Sequence, residues 1–132
     1  MTMRFFLVAT ACVATLLPLG TVSAHHSFAA EFTRKRPIEV TGTVTKVEWM
    51  NPHARFYVES TDKSGVKVTW NFELTTPNIL MRRGWRADSL KAGDKITVEG
   101  FRARNDPHVA NAGNVTLADG KVLFGRNPDD SR

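Results

Sequence analysis

The clearest pattern in the chain is the alternation across residues 66–74, VKVTWNFEL. There Val66, Val68, Trp70, Phe72 and Leu74 take turns with Lys67, Thr69, Asn71 and Glu73. A period of two places the five apolar side chains on one face of a strand and the polar ones, Glu73 included, on a solvated face. A slip of one residue would expose all five apolar groups, so the register is firmly specified. The same period runs through residues 54–60, with Ala54, Phe56 and Val58 inward, and through 95–101, with Ile96, Val98 and Gly100 inward. Residues 38–49 (IEVTGTVTKVEW) are rich in β-branched side chains and predict a first strand. Its alternation falters at Gly42, which predicts a bulge or a sharp coil there. Residues 109–117 and 121–124 are weaker strand segments.

The punctuation between these runs is consistent. Asn51-Pro52-His53, residues 62–65 (DKSG), residues 90–94 (LKAGD), residues 105–108 (NDPH) and Asp119-Gly120 all carry turn-forming residues. Thr75-Thr76-Pro77 opens a helix over residues 78–83: a threonine caps it and proline sits where its missing N–H costs nothing. Ile79, Leu80 and Met81 are its anchors and Gly84 ends it. Three strands, one short helix and two or three further strands predict an all-β fold, a small OB-like Greek-key β-barrel over residues 38–124. A half-open β-sandwich is the other arrangement that fits. Trp70 belongs to the core of either, and Trp85 is placed to plug the base beside the helix. Residues 25–37 read as an extended lead-in and 125–132 as a polar tail.

The first 24 residues follow a different logic. Arg4 provides a positive flank, residues 5–17 (FFLVATACVATLL) an apolar core, and Val22-Ser23-Ala24 a small-x-small cleavage site. That order predicts a secretory signal peptide cut after Ala24 and a periplasmic or secreted product. The apolar run is well short of the roughly 20 residues that span a bilayer, so no retained anchor is expected. Cleavage leaves 108 of the 132 residues, and the single cysteine, Cys12, is in the part removed. The mature chain must then be held by its own core, without a disulfide. It keeps 17 Lys and Arg against 13 Asp and Glu, spread along the chain, and export argues against nucleic acid as the partner.

Cleavage also makes His25 the terminal residue, followed by His26. A terminal histidine can chelate a metal through its α-amine and ring Nδ1, and one further imidazole completes a nitrogen set suited to copper. His53 and His108 each follow a proline in a loop, and in an OB-type barrel those two loops flank one rim. Asn51 and Asp106 precede them by two residues and are candidate ligand-rim residues. No nucleophile elbow, paired-cysteine motif or His-Glu-x-x-His helix is present, so no catalytic residue is assigned.

Several blocks together, HHSFAAEF (25–32), GTVTKVEWMNPHARFYV (42–58), VTWNFEL (68–74), PNILMRRGW (77–85) and LKAGDKITVEGFRA (90–103), resemble a family of small, uncharacterised exported bacterial proteins. A looser similarity is to periplasmic OB-fold stress proteins, through the rhythm of residues 93–100 (GDKITVEG). The resemblance implies an exported domain and carries over no catalytic residue. The sequence therefore predicts an exported β-barrel binding module, taking a small ligand or a metal ion such as copper at a rim bearing His25, His26, His53 and His108. The alternatives are an interaction domain that meets an envelope protein and, third, a copper-dependent redox enzyme.

Overall fold

The computed structural model describes residues 31–125, and the predicted signal peptide, His25, His26 and the polar tail beyond Gly125 lie outside that range. The described chain is mostly β with one short helix. Its strands are β1 (Phe32–Glu48), β2 (Arg55–Thr61), β3 (Lys67–Glu73), β4 (Lys95–Ala103), β5 (Val109–Leu117) and β6 (Val122–Phe124). The helix, α1 (Pro77–Arg82), sits between β3 and β4. The strands form one sheet in the order β3-β2-β1-β4-β5-β6, with β3 also pairing β5 in parallel.

The period of two decides the core. Phe56, Val58, Trp70, Phe72, Ile96, Val98, Ala110, Ala112 and Val115 all turn to the same interior and are buried. Phe56 and Phe72 stack with ring centroids 5.2 Å apart, and Trp70 continues the stack at 5.9 Å from Phe72. Two inward expectations fail at segment ends. Val66 is 57% exposed: it closes the hairpin turn, its carbonyl accepting from Asp62 N–H at 2.9 Å, one residue before β3 begins at Lys67. Met81 is exposed on α1, where Leu80 and Pro77 supply the buried contacts.

The first strand starts at Phe32, six residues before Ile38, because Phe32 and Thr33 are buried and Phe32 is in register with Ala103 of β4. Its irregularity is placed differently from the expectation as well. The register shift against β2 falls between Val44 and Lys46. Gly42 is instead a point of close approach: a Cβ there would overlap the Glu59 carbonyl oxygen and come within 2.7 Å of Val58 Cγ1. A side chain at residue 42 would push β2 away.

The predicted cap on α1 is present, with Thr76 Oγ1 accepting from the Ile79 N–H at 3.5 Å and Pro77 in the first turn. Beyond the helix Trp85 is buried, and its indole N–H donates to the Phe124 carbonyl oxygen at 2.9 Å, tying the segment after α1 to β6. Trp85→Phe keeps most of the apolar contact but strands that carbonyl. It should cost about 1–2 kcal/mol in urea denaturation, with β6 amides losing exchange protection first. Uniform protection across β5 and β6 in the variant would rule out this tie.

Candidate functional site

The outer face of β1, β2 and β3 carries polar side chains that the register lines up in two rows. Glu48, Arg55 and Glu73 are opposite one another, and Lys46, Tyr57 and Asn71 form the neighbouring row. Cross-strand partners on one face are near enough to pair, and here they do. Lys46 bonds Glu48, which also accepts from the Tyr57 hydroxyl at 3.2 Å. Arg55 bonds Glu73 and donates to Asn71 Oδ1 at 3.3 Å. The hydrogen bond and charge of Lys46 hold the Glu48 carboxyl below the usual carboxylate range.

Glu73 differs from the rest of this face. Alternation predicts a solvated carboxylate, but the residue is only 4% exposed. Two neighbours account for the difference. Arg55 spans one carboxylate oxygen, and His53, from the loop between β1 and β2, sets its Nδ1 2.8 Å from the other. The loop is held in place by backbone bonds on both sides of Ala54: its N–H donates to the Thr75 carbonyl at 3.3 Å, and its own carbonyl accepts from Leu74 at 2.9 Å. Burial pushes the Glu73 pKa up; the Arg55 charge opposes this, Glu31 adds repulsion, and His53 opposes it further. Beside Glu73 in register on β5 lies Asn111, buried, with its Oδ1 lacking a hydrogen-bond partner.

The carboxylate orients the imidazole. Nδ1 faces Glu73, and in the neutral ring that contact leaves the lone pair on Nε2, on a side chain that is 41% exposed. This is the carboxylate–histidine arrangement that commonly supports a metal-bound imidazole.

His108 is placed elsewhere. Its ring meets Trp70 edge-on, with centroids 5.6 Å apart, on the core-facing side of β3. Its backbone is fixed by Asp106 Oδ1, which accepts from the His108 N–H at 2.9 Å, and by its carbonyl, which accepts from Asn71 at 2.9 Å. Trp70 and Glu73 are three residues apart on a strand, so they face opposite sides and so do the two imidazoles. The structure does not bring His53 and His108 together, and among the described residues no group of three His, Cys, Asp or Glu side chains converges on a point. Asp106 shapes a loop through its own backbone bond; Asn51, next to the cis bond to Pro52, is exposed beside His53.

The buried carboxylate was not foreseen from the alternation. The signal that points to it is Arg55 directly opposite Glu73, with a histidine two residues before Arg55. Arg102, whose guanidinium lies 5.2 Å from the Trp70 ring centre, gives no sequence signal at all.

Among the described residues no helix is long and apolar enough to cross a membrane. The model of a family of unknown function, DUF6152, matches residues 13–111. No curated protein matches the chain.

Proposed function

We propose that this chain, which belongs to the DUF6152 family of unknown function, is an exported binding module that takes Cu(II) on His53 and its own processed N-terminus. The scaffold is read as a small OB-like barrel. The pairings β1–β2, β2–β3, β3–β5, β5–β4 and β4–β1 form a ring, and a parallel β3–β5 pair with a helix between β3 and β4 suits that topology. The signal-peptide pattern of residues 1–24 supports export and cleavage after Ala24.

One observation carries the metal reading: the Glu73 carboxylate lies 2.8 Å from His53 Nδ1, and in the neutral ring that contact leaves Nε2 as the acceptor. The position of Glu31 adds to it. Its charge acts on Glu73, the carboxylate that holds His53. His25 is six residues before Glu31, a tether of up to about 20 Å when extended. On this reading that segment brings the terminus at His25 to His53. The amine and Nδ1 of His25 with Nε2 of His53 would make a three-nitrogen set of the kind Cu(II) prefers.

The test is Cu(II) titration, followed by calorimetry and electron paramagnetic resonance, on protein beginning at His25 and on the same protein with its α-amine acetylated. The processed form should bind at least about tenfold more tightly, because acetylation removes the amine from the chelate. His53→Ala should weaken binding to a similar degree. His108→Ala should leave it unchanged. Equal affinity in the free and acetylated forms would overturn the reading and leave an interaction domain of the cell envelope as the better account.

A further inference from the structure

A second site lies on the other side of β3, independent of His53 and Glu73. Where the β2–β3 hairpin meets β1 and β4, the surface opens into a cleft of about 320 Å³, at the small end of the range for ligand pockets. Its apolar wall is Val40, Val68 and Trp70. Arg102 and His108 stand on Trp70, one over the ring and the other edge-on.

Arg102 has no carboxylate within ion-pair distance among the described residues, and its Nε is buried without a hydrogen-bond partner. A guanidinium offers five donors in a planar fork that matches a carboxylate, and this one is oriented by the Trp70 ring at the wall of the cleft. Asp62, also in the lining, makes no ion pair with Arg102; its Oδ1 accepts from Ser64 N–H at 2.8 Å, Ser64 Oγ at 2.6 Å and Val66 N–H at 3.0 Å, which ties that oxygen to the hairpin turn. Glu39 and Lys63 also line the cleft, so its two acids and its Lys63 and Arg102 cations balance, which disfavours a ligand with more than one negative charge. The receiving groups are held in place: His108 by the two backbone bonds already described, Arg102 by β4 and by Trp70.

We propose that this cleft binds a small monocarboxylate with a flat apolar body, the carboxylate on Arg102 and the body along Val68 and Trp70. Arg102 supplies the charge and the planar fork, and the apolar wall supplies the preference for an aromatic or similarly flat acid over a free inorganic anion.

The probe is benzoate, titrated into ¹⁵N-labelled protein and followed by amide and indole shifts, beside neutral benzamide and inorganic phosphate. Benzoate should move the amides of Ser60, Arg102 and His108 together with the Trp70 indole N–H. Benzamide should bind at least about tenfold more weakly, since a hydrogen bond to a charged group is worth about 1.5–3 kcal/mol and each 1.4 kcal/mol is tenfold. Arg102→Gln should weaken benzoate by a similar factor, and His53→Ala should leave it unaltered. Benzamide binding as well as benzoate, phosphate moving the same signals at lower concentration, or benzoate shifts mapping away from this cleft would each overturn the proposal. These comparisons on the unaltered protein stand even if Arg102→Gln does not fold.

Discussion

Replacing Gly100 with alanine is expected to prevent most of the chain from reaching its native structure. The residue lies at the register shift between β4 and β5, where the backbones approach more closely than a side chain allows. A Cβ at residue 100 would overlap the Asn111 carbonyl oxygen and come within 3.0 Å of its carbon and 3.4 Å of Ala112 Cα. All three contacts are backbone, so no rotamer change relieves them. One of the two strands must move, and β5 is the strand that also pairs β3 and β6. Moving it would open the buried contacts of Ala110, Ala112 and Val115. Overpacking that cannot relax typically costs 1–3 kcal/mol, and loss of the pairing around it raises the total to about 4 kcal/mol or more. That is a large part of the 5–15 kcal/mol that holds a typical domain together. Gly113→Ala is the matched control, since its Cβ would meet Glu99 O at 3.2 Å, a contact that a few tenths of an ångström relieve. Thermal melts followed by circular dichroism should show Gly113→Ala near the parent and Gly100→Ala without a cooperative transition. A Gly100→Ala protein melting within a few degrees of the parent would show that β5 can yield without loss.

Why was the fold largely legible while the site was not? A strand half-buried in a sheet writes its two faces into the sequence at a period of two, and the core follows from that alone. Residues 54–60, 66–74 and 95–101 became β2, β3 and β4 with the expected interior at Phe56, Val58, Trp70, Phe72, Ile96 and Val98. The helix was equally readable, because a threonine cap and a first-turn proline act within one turn of chain. Boundaries were less so. That β1 starts at Phe32 depends on Ala103, some seventy residues away, and nothing local to RKRP announces it.

The site depends on pairings of that long-range kind. Alternation places Glu73 on the polar face correctly, but it cannot report that a loop from the far side of β2 folds a histidine over that face. The same blindness affected the two proline-led histidines. Their loops look alike in sequence, yet one imidazole meets a carboxylate on the outer face and the other a tryptophan on the inner. Whether a loop side chain turns in or out is set by its neighbours in space. Period and spacing say little about it.

The buried carboxylate should also set how stability responds to acid. Glu73→Ala removes the acceptor shared by His53 and Arg55 and leaves a partly covered guanidinium short of its partner. Removing one member of a buried pair costs up to 3–5 kcal/mol; Arg55 retains some solvent contact, so about 2–3 kcal/mol is expected in urea denaturation. Glu73→Gln keeps the shape and one acceptor and isolates the charge. Because burial raises the Glu73 pKa above the ordinary 4.5, the folded chain holds that proton more tightly than the unfolded chain does. The stability that comes from this difference is complete below about 4.5 and is lost as the pH rises through the higher folded value. The parent should therefore gain on Glu73→Gln as the pH is lowered from neutral to 4.5, with the two curves parallel at still lower pH. Urea titrations of the two proteins at half-unit intervals between pH 4 and 7 would read the slope directly. A parent that instead loses ground to Glu73→Gln on acidification would mean that pairing with Arg55 and His53 outweighs burial, and that Glu73 stays charged throughout the range in which it holds the imidazole.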